Sequence, residues 1–427
     1  MAEVVTVEDD EIVLQVRVKL NGSMLNMEET IQSAVNEIGS LATHEALKRF
    51  DTMGTPLQIG SIRLTSKGTV RKRYETPYGA VNVERHVYQS SSGGKTYCPL
   101  DERARIIVSS TPHFARQICS KYARLSAQDV MQDLTSNHGR PVVRSFLQNV
   151  VDVIGGIAKA TEEDWMYDTP KQTEKVATVS VSLDGTCVLM CHEGYREAMT
   201  GTISLYNHGG ERLHTIYLGA APEYGKTHFL QRLEREVYAI KLLYPEATYV
   251  GIADGAKTNW EFLEQHTQYQ VLDFYHATEY LAEAAHGMHP LQEDERRHWL
   301  SSACHRLKHD INGASILLRE MTQVLSHRCK KDLAAKLQRA ITYFTNQAHR
   351  MNYAQYQAIN LPIGSGVTEA ACKTLVKQRL CQSGMKWKNK GVAMVLRLRA
   401  LLCTQGRWEQ FWDRINQTGL TQFADIR

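Results

Sequence analysis

The stretch ATYVGIADGAKTNWEFLEQHTQYQVLDFYH, residues 247–276, decides how this chain folds. It opens with a short apolar run, Val250–Ala253, which leads through Asp254 and a glycine into a helical pattern at 255–266. A second strand-like run follows at 269–276. Short apolar strands that alternate with helices pair in parallel and carry the helices on the faces of the sheet. The stretch therefore predicts a parallel β–α–β unit, with Asp254 at the carboxyl end of its first strand.

The residues before this stretch complete a larger sheet. The segment 175–190, KVATVSVSLDGTCVLM, alternates apolar and polar residues and carries Asp184 within or at the end of a predicted strand. Two more strand patterns and a helical pattern follow, at 196–207, 212–222 and 226–245. Three strands, a helix, a strand, a helix and a strand is the order of a ribonuclease-H-like α/β fold. In that fold the first and fourth strands are neighbours, so the order predicts that Asp184 and Asp254 meet at one end of the sheet.

Paired aspartates at one sheet end point to a metal site. A single aspartate after a strand is usually a turn former, which is the alternative for each residue alone. Two close carboxylates repel each other unless a cation or a proton lies between them. Magnesium suits such a pair, because it prefers oxygen ligands from one or two carboxylates, water and phosphate.

A third acid is available further along the chain. Gly364-Ser365-Gly366 leads into a helical pattern, with Glu369 near the first turn. The positive end of the helix dipole stabilises an ionised carboxylate there, and this could equally be the only role of Glu369.

The charge after Glu369 is one-sided. Nine lysines and arginines come before the next acid, Glu409. Beside a metal site, this run predicts a track for DNA phosphates, whereas the alternative is a solvated basic helix face. The predicted DNA contacts in this run are Lys373, Lys377, Arg379, Lys386, Lys388 and Lys390.

The first part of the chain contains two further patterns. Apolar spacing predicts a helix at 28–50, and two strands are expected around a turn at 76–79. Three helices are then predicted between 112 and 160, with Ser126 as an N-cap, Gly139 as a stop and Pro141 in the first turn of the third helix.

These three helices resemble a helix-turn-helix. Arg140 and Arg144 would then lie early in the recognition helix, where side chains reach the major groove of DNA. A plain helical bundle with solvated arginines is the alternative.

Composition sets the broad class. The chain has 427 residues, is 43% hydrophobic and 22% charged, and carries a net charge of +4. These values fit a multidomain globular protein. Its nine cysteines include no Cys-x-x-Cys pair, and its start is acidic, so we expect a reduced, cytoplasmic protein without a signal peptide.

Four motifs carry a family resemblance. SLDGT, GIADGAKTNW, LDFYHATEYL and PIGSGVTEAACKTLVKQRLCQSGMKW resemble, in this order, motifs of the bacterial insertion-sequence transposases of the Kra type. In the wider group of DDE transposases, an Asp-x-x-His or Cys-x-x-His element recurs after the second acid, and Asp273 and His276 fit it.

The resemblance implies a DDE transposase. Its catalytic and metal-binding triad would be Asp184, Asp254 and Glu369, with Asp273 and His276 in support. Two Mg²⁺ ions would be the cofactor, with Mn²⁺ as a substitute. The partners would be double-stranded DNA, as terminal inverted repeats and target DNA, and further copies of the chain in a dimer or higher oligomer. The resemblance also implies a bacterial protein of the cytoplasm that associates with the nucleoid when bound to DNA. Two alternatives stay open: a nuclease of the same fold that does not join DNA, and a domesticated DNA-binding protein, against which the presence of all three acids argues.

The predicted organisation has seven parts. In chain order these are an N-terminal helical region, a β-hairpin region, a helix-turn-helix-like region, the first part of the catalytic core, an all-helical insertion that the resemblance also implies, the second part of the core with the catalytic glutamate, and a tail: 1–60, 61–111, 112–172, 173–276, 277–355, 356–403 and 404–427.

Overall fold

The computed structural model describes residues 2–289, 292–328 and 331–419, and it is a mixed α/β protein with two compact units. One unit holds the chain up to Tyr167 and again from Arg407 onward, and the other spans Asp168–Gly406. Within the described residues, no helix is both long enough and apolar enough to cross a membrane.

The N-terminal unit begins with strands, so the region predicted as helical at 1–60 is helical only in part. Strands β1, Ala2–Val7, and β2, Ile12–Val16, form an antiparallel pair before helix α1, Met24–Lys48. Both strands are rich in β-branched residues, which favour extended backbone. Helix α1 confirms the helical period predicted at 28–50.

The β-hairpin region is a four-stranded antiparallel sheet. Its central hairpin turns at Thr76, whose amide donates to the Gly79 carbonyl at 3.0 Å, and the predicted hairpin is confirmed. The short helix α2, Pro99–Arg103, follows the sheet, and its Leu100 packs with Tyr74 in the core of the unit. The strands, in sheet order, are β3 Leu57–Ile59, β4 Ile62–Glu75, β5 Ala80–Ser90 and β6 Gly93–Tyr97.

Three helices follow, as predicted, but the third begins later than expected. They are α3 Pro112–Tyr122, α4 Ala127–His138 and α5 Arg144–Ala160. Ser126 caps α4 by accepting from the Asp129 amide, and Gly139 ends it at a φ of 62°. Pro141 does not lie in the first turn of α5, because the chain stays extended to Val143, the N-cap.

The end of the described chain is helical. Helix α16, Arg407–Thr418, belongs to the N-terminal unit and buries Trp408, Phe411 and Trp412. It lies within the predicted tail, which is therefore an amphipathic helix over these residues; residues 420–427 of the predicted tail lie outside the described range.

The second unit is built on a five-stranded sheet. Three long antiparallel strands form one side of the sheet, and two short strands that run parallel to β7 extend it beyond β7. The order across the sheet is β11-β10-β7-β8-β9. All five predicted strands are present. They are β7 Thr178–Met190, β8 Gly194–Tyr206, β9 Arg212–Ala220, β10 Thr248–Ala253 and β11 Tyr269–Leu272.

Helices connect and interrupt this sheet. Helix α6, Thr227–Leu243, links β9 to β10, and α7, Lys257–His266, links β10 to β11. The described residues between β11 and the glutamate helix contain helices but no strand, as predicted for the insertion. These helices are α8 Phe274–Met288, α9 Glu293–His309, α10 Gly313–Arg328, α11 Lys331–Gln347, the 3-10 turn Ala348–Arg350 and α12 Tyr353–Ala358.

The last part of this unit returns to the sheet. A continuous helical run consists of α13, Gly366–Ala371, a π-helical segment, Cys372–Lys377, and α14, Gln378–Leu380. Helix α15, Asn389–Cys403, then packs against β9.

Candidate active site

Two aspartates lie at the same level of neighbouring parallel strands. The last paired residues of β7 and β10 are Ser182 and Ile252. Asp184 and Asp254 each lie two residues beyond this pair, and neighbouring strands run about 4.8 Å apart. The predicted placement of the two carboxylate-bearing positions side by side is confirmed, but only Asp254 follows the end of its strand, because β7 continues beyond Asp184 to Met190.

Asp184 is a partly buried carboxylate with raised proton affinity. Burial is the main cause that raises its pKa above the ordinary value, and the charge of Asp254 raises it further. Two hydrogen bonds oppose this shift: the Gly185 amide donates to Oδ1 at 2.6 Å, and the Cys372 thiol donates to Oδ2 at 3.4 Å. Because burial raises the pKa of Cys372 to about 11, the thiol keeps the proton that it donates.

Glu369 lies in the first turn of α13, as predicted. It lines a surface opening, called the opening hereafter, together with Asp184, His276, Cys372 and Lys373. The helix is held on the sheet by a buried contact between the hydroxyls of Thr368 and Thr202, 2.6 Å apart. The following π-helical segment places Cys372 against Asp184. Interruptions of this kind are frequent at functional sites.

Asp273 joins two helix N-termini. Its Oδ1 accepts from the amides of Tyr275 and His276, at 2.6 and 3.2 Å, and so caps α8. Its Oδ2 accepts from the amide of Ser365, at 2.6 Å, and from the Ser365 hydroxyl. The Ser365 hydroxyl also lies 3.4 Å from Glu369 Oε1. The fully buried Asp273 therefore supports the helix that carries Glu369.

His276 lies on a helix and not on a strand. The strand predicted at 269–276 ends at Leu272, because Asp273 caps α8 and turns the chain into a helix. The His276 ring still lines the opening shared by Asp184 and Glu369, and its Nδ1 lies 3.4 Å from Glu279 Oε2. A charged His276 would lower the pKa of Asp184, which is an electrostatic influence on the site.

The predicted phosphate track is reduced by one residue. Lys373 and Lys377 line the opening and are exposed, and Lys386, Lys388 and Lys390 are exposed beyond it. Arg379 is only 1% exposed, and its guanidinium lies 5.1 Å from the centre of the Trp387 ring. A side chain so buried does not reach a DNA backbone, so the prediction for Arg379 is wrong.

Of the two arginines predicted to contact DNA in the helix-turn-helix-like region, one is buried and the other is exposed. Arg140 is 4% exposed, donates to Glu75 Oε2 at 2.7 Å and to the Thr76 carbonyl at 2.8 Å, and covers the Phe114 ring. It holds the hairpin turn to the helices and is not free to read a DNA groove, so its predicted role is corrected. Arg144 is exposed at the start of α5.

The donor set can be tested against a magnesium site. Over the described ranges, no three His, Cys, Asp or Glu side chains stand close enough together to hold a metal ion as they are placed. The available donors are nevertheless the hard carboxylate oxygens that Mg²⁺ prefers, and they leave room for water and phosphate. Burial and the charge of Asp254 both raise the pKa of Asp184, and a divalent cation beside the carboxylates would oppose this shift. The donors fit the ion in chemistry.

Sequence reasoning missed two residues of the site. Cys372 lies within a quoted motif, but nothing in its spacing showed that its thiol would contact Asp184. Tyr343 of the insertion donates to the Asp254 carbonyl at 2.7 Å, across a long separation in sequence. Neither contact has a local signal.

Comparisons with known proteins add no family assignment. No protein-family model matches the chain, and a search of curated proteins gives no significant match.

Proposed function

We propose that this protein is a DDE-type transposase of the Kra type, with a ribonuclease-H-like catalytic core, that cleaves the ends of a mobile element and joins them to target DNA. The observation that carries this proposal is the placement of Asp184 and Asp254 at one level of two parallel strands, with Glu369 at the same opening as Asp184. The sheet order, with three antiparallel strands followed by two parallel ones, supports the ribonuclease-H-like assignment.

Asp184, Asp254 and Glu369 would hold the metal ions. Bound Mg²⁺ neutralises charge on the attacking and leaving oxygens of a phosphodiester. Asp184 would be the acid common to the ions, since it is at the level of Asp254 and shares the opening with Glu369. Asp273 and Cys372 would keep the glutamate helix and the Asp184 carboxylate in place.

The lysines around the opening would bind DNA. Lys373 and Lys377 follow Glu369 by four and eight positions, so they emerge from the same helical run as the glutamate. Exposed lysines attract phosphates without reading sequence, and the resulting affinity falls as the salt concentration rises. These residues would hold the strand whose phosphodiester faces the acids.

Two reactions would share this site. In cleavage, a water oxygen attacks the phosphorus at the element end, and the bond from phosphorus to the 3′-oxygen breaks. In joining, the freed 3′-hydroxyl attacks a target phosphorus and displaces the target's own 3′-oxygen. Both are in-line displacements at phosphorus, so one set of acids serves both steps.

The test is product mapping on labelled DNA. A duplex that contains the DNA flanking the gene, where a mobile element would end, is incubated with the protein and Mg²⁺. We expect a cut at a fixed position from the wild-type protein and no cut from Asp184→Asn or Asp254→Asn, with DNA affinity near that of the wild type. Appreciable cleavage by either variant, with Mg²⁺ as the only divalent ion, would refute the assignment of the triad.

A further inference from the structure

The insertion is hydrogen-bonded to the loop that carries Asp254. The Tyr343 hydroxyl, on α11, donates to the Asp254 carbonyl at 2.7 Å. The Gln347 amide, one turn later, donates to the Gly255 carbonyl at 3.5 Å. Two successive peptide carbonyls of the loop are thus bound by one helix of the insertion.

The loop is shaped to receive this helix. Gly255 has a φ of +115°, a conformation that other residues rarely adopt. A Cβ at Gly255 would lie 3.3 Å from Cε2 of Tyr343, so the ring packs closely on the glycine. The Asp254 side chain closes the turn from within, since its Oδ1 accepts from the Ala256 amide at 3.2 Å.

The two donors on α11 are themselves fixed. The Tyr343 ring stacks on Tyr280 of α8, with ring centres 3.7 Å apart and planes within 11°. Burial raises the pKa of Tyr343, so its hydroxyl keeps the proton that it donates. Arg350 donates to Gln347 Oε1 at 2.8 Å and to Glu264 Oε1 at 2.5 Å, and it covers the Trp260 ring at 4.4 Å. The end of the insertion therefore also contacts α7, the helix that follows the loop.

We infer that Tyr343, supported by Gln347, is a positioning residue for Asp254, so that the insertion sets the geometry of the second acid. The catalytic part of this inference rests on the proposed function. The positioning part does not, because it concerns the order of the loop in the protein alone. Any movement of α11 on binding DNA would be transmitted to Asp254 through these two hydrogen bonds.

The test compares two tyrosines that stack on each other. Tyr343→Phe removes the hydroxyl bound to Asp254 and keeps the ring. Tyr280→Phe is the matched control, because its hydroxyl has no hydrogen-bond partner among the residues that the structure describes. Hydrogen–deuterium exchange of the full-length proteins without metal or DNA reports on the amides of 254–258, where the Ala256 amide marks closure of the turn.

We expect Tyr343→Phe to speed exchange at 254–258 about two- to tenfold, the range that one neutral hydrogen bond supports. Exchange in β10 and in α11 should stay unchanged, which distinguishes positioning from a general loss of packing. Equal exchange in wild type and Tyr343→Phe, or an equal increase in Tyr280→Phe, would overturn the inference.

Activity gives an independent readout. With the DNA duplex and Mg²⁺, Tyr343→Phe should lower the single-turnover cleavage rate by a similar factor, with DNA affinity unchanged and Tyr280→Phe at the wild-type rate. If the wild-type protein cuts no DNA, the proposed function fails, while the exchange result still decides whether Tyr343 orders the loop. Faster loop exchange with an unchanged cleavage rate would overturn the catalytic part.

Discussion

Replacing Asp273 by asparagine should destabilise the second unit, because its buried carboxylate accepts four hydrogen bonds. In the better orientation, the new amide nitrogen takes the place of Oδ2 and faces the Ser365 amide and hydroxyl. The hydroxyl can rotate and accept, but the Ser365 N–H cannot, and it stays buried without an acceptor. In the other orientation, two amides, of Tyr275 and His276, lose theirs.

The expected loss of stability follows from these contacts. One unsatisfied buried donor costs about 1–3 kcal/mol. Removal of a negative charge from the N-termini of two helices adds about 1 kcal/mol. We therefore expect Asp273→Asn to lower the free energy of unfolding of this unit by about 2–4 kcal/mol, the sum of these ranges.

Urea unfolding in metal-free buffer measures this loss, with pulse proteolysis to show which unit unfolds. Asp254→Asn is the matched control, because its described side-chain partner is one amide at 3.2 Å and it should cost less than about 1 kcal/mol. The reasoning would be refuted if Asp273→Asn, like the control Asp254→Asn, unfolded at the urea concentration of the wild type. A loss of cleavage in Asp273→Asn without any loss of stability would also contradict the structural role of Asp273 at the two helix N-termini.

Three further predictions follow from individual side chains. The raised pKa of Asp184 means that the folded state holds its proton more tightly than the unfolded state, so stability falls as the pH rises above about 4. Asp184→Asn should therefore be more stable than the wild type at pH 7 without metal. An equal or lower urea midpoint of the variant would contradict this. His276→Ala should slow cleavage or joining yet leave the fold and Mg²⁺ affinity largely intact, and wild-type rates for both steps would reduce the residue to a structural role. Arg140→Met should destabilise the N-terminal unit by about 3 kcal/mol, since it breaks a buried ion pair. Arg144→Ala should leave urea stability within about 0.5 kcal/mol and weaken DNA binding in a gel shift. The opposite pattern would restore Arg140 as a DNA contact.

The sheet and its acids could be predicted because their signals are local. A two-residue period, short apolar runs and intervening helical patterns fix which strands pair in parallel, and parallel pairing places Asp184 beside Asp254. Glu369 was found because a glycine-rich loop and a helical pattern surround it. These features depend on neighbours within a few positions.

The remaining features depend on distant partners. Arg140 and Arg379 had the charge of DNA contacts, but burial is decided by Glu75 and Thr76 for the first and by packing with Trp387 for the second. The predicted strand at 269–276 was too long because Asp273 ends β11 and caps α8. The other hydrogen-bond partner of Asp273, Ser365, lies far along the chain.

The N-terminal hairpin was missed for a different reason. The valine-rich strands β1 and β2 are short and are separated by four consecutive acidic residues, 8–11, so the longer helical pattern of α1 dominated the prediction. Two-stranded hairpins of this length are marginally stable alone. In the structure both strands also contact α1, which the sequence pattern does not reveal.

The most direct test of the central claim is strand transfer from a pre-cleaved end. A labelled duplex that ends in the free 3′-hydroxyl of the element is incubated with the protein, a plasmid target and Mg²⁺, and joined products are separated by size. We predict that the wild-type protein joins the label to the plasmid and that Asp184→Asn does not. Cleavage of element ends without any joining by the wild-type protein would contradict a transposase and identify a nuclease.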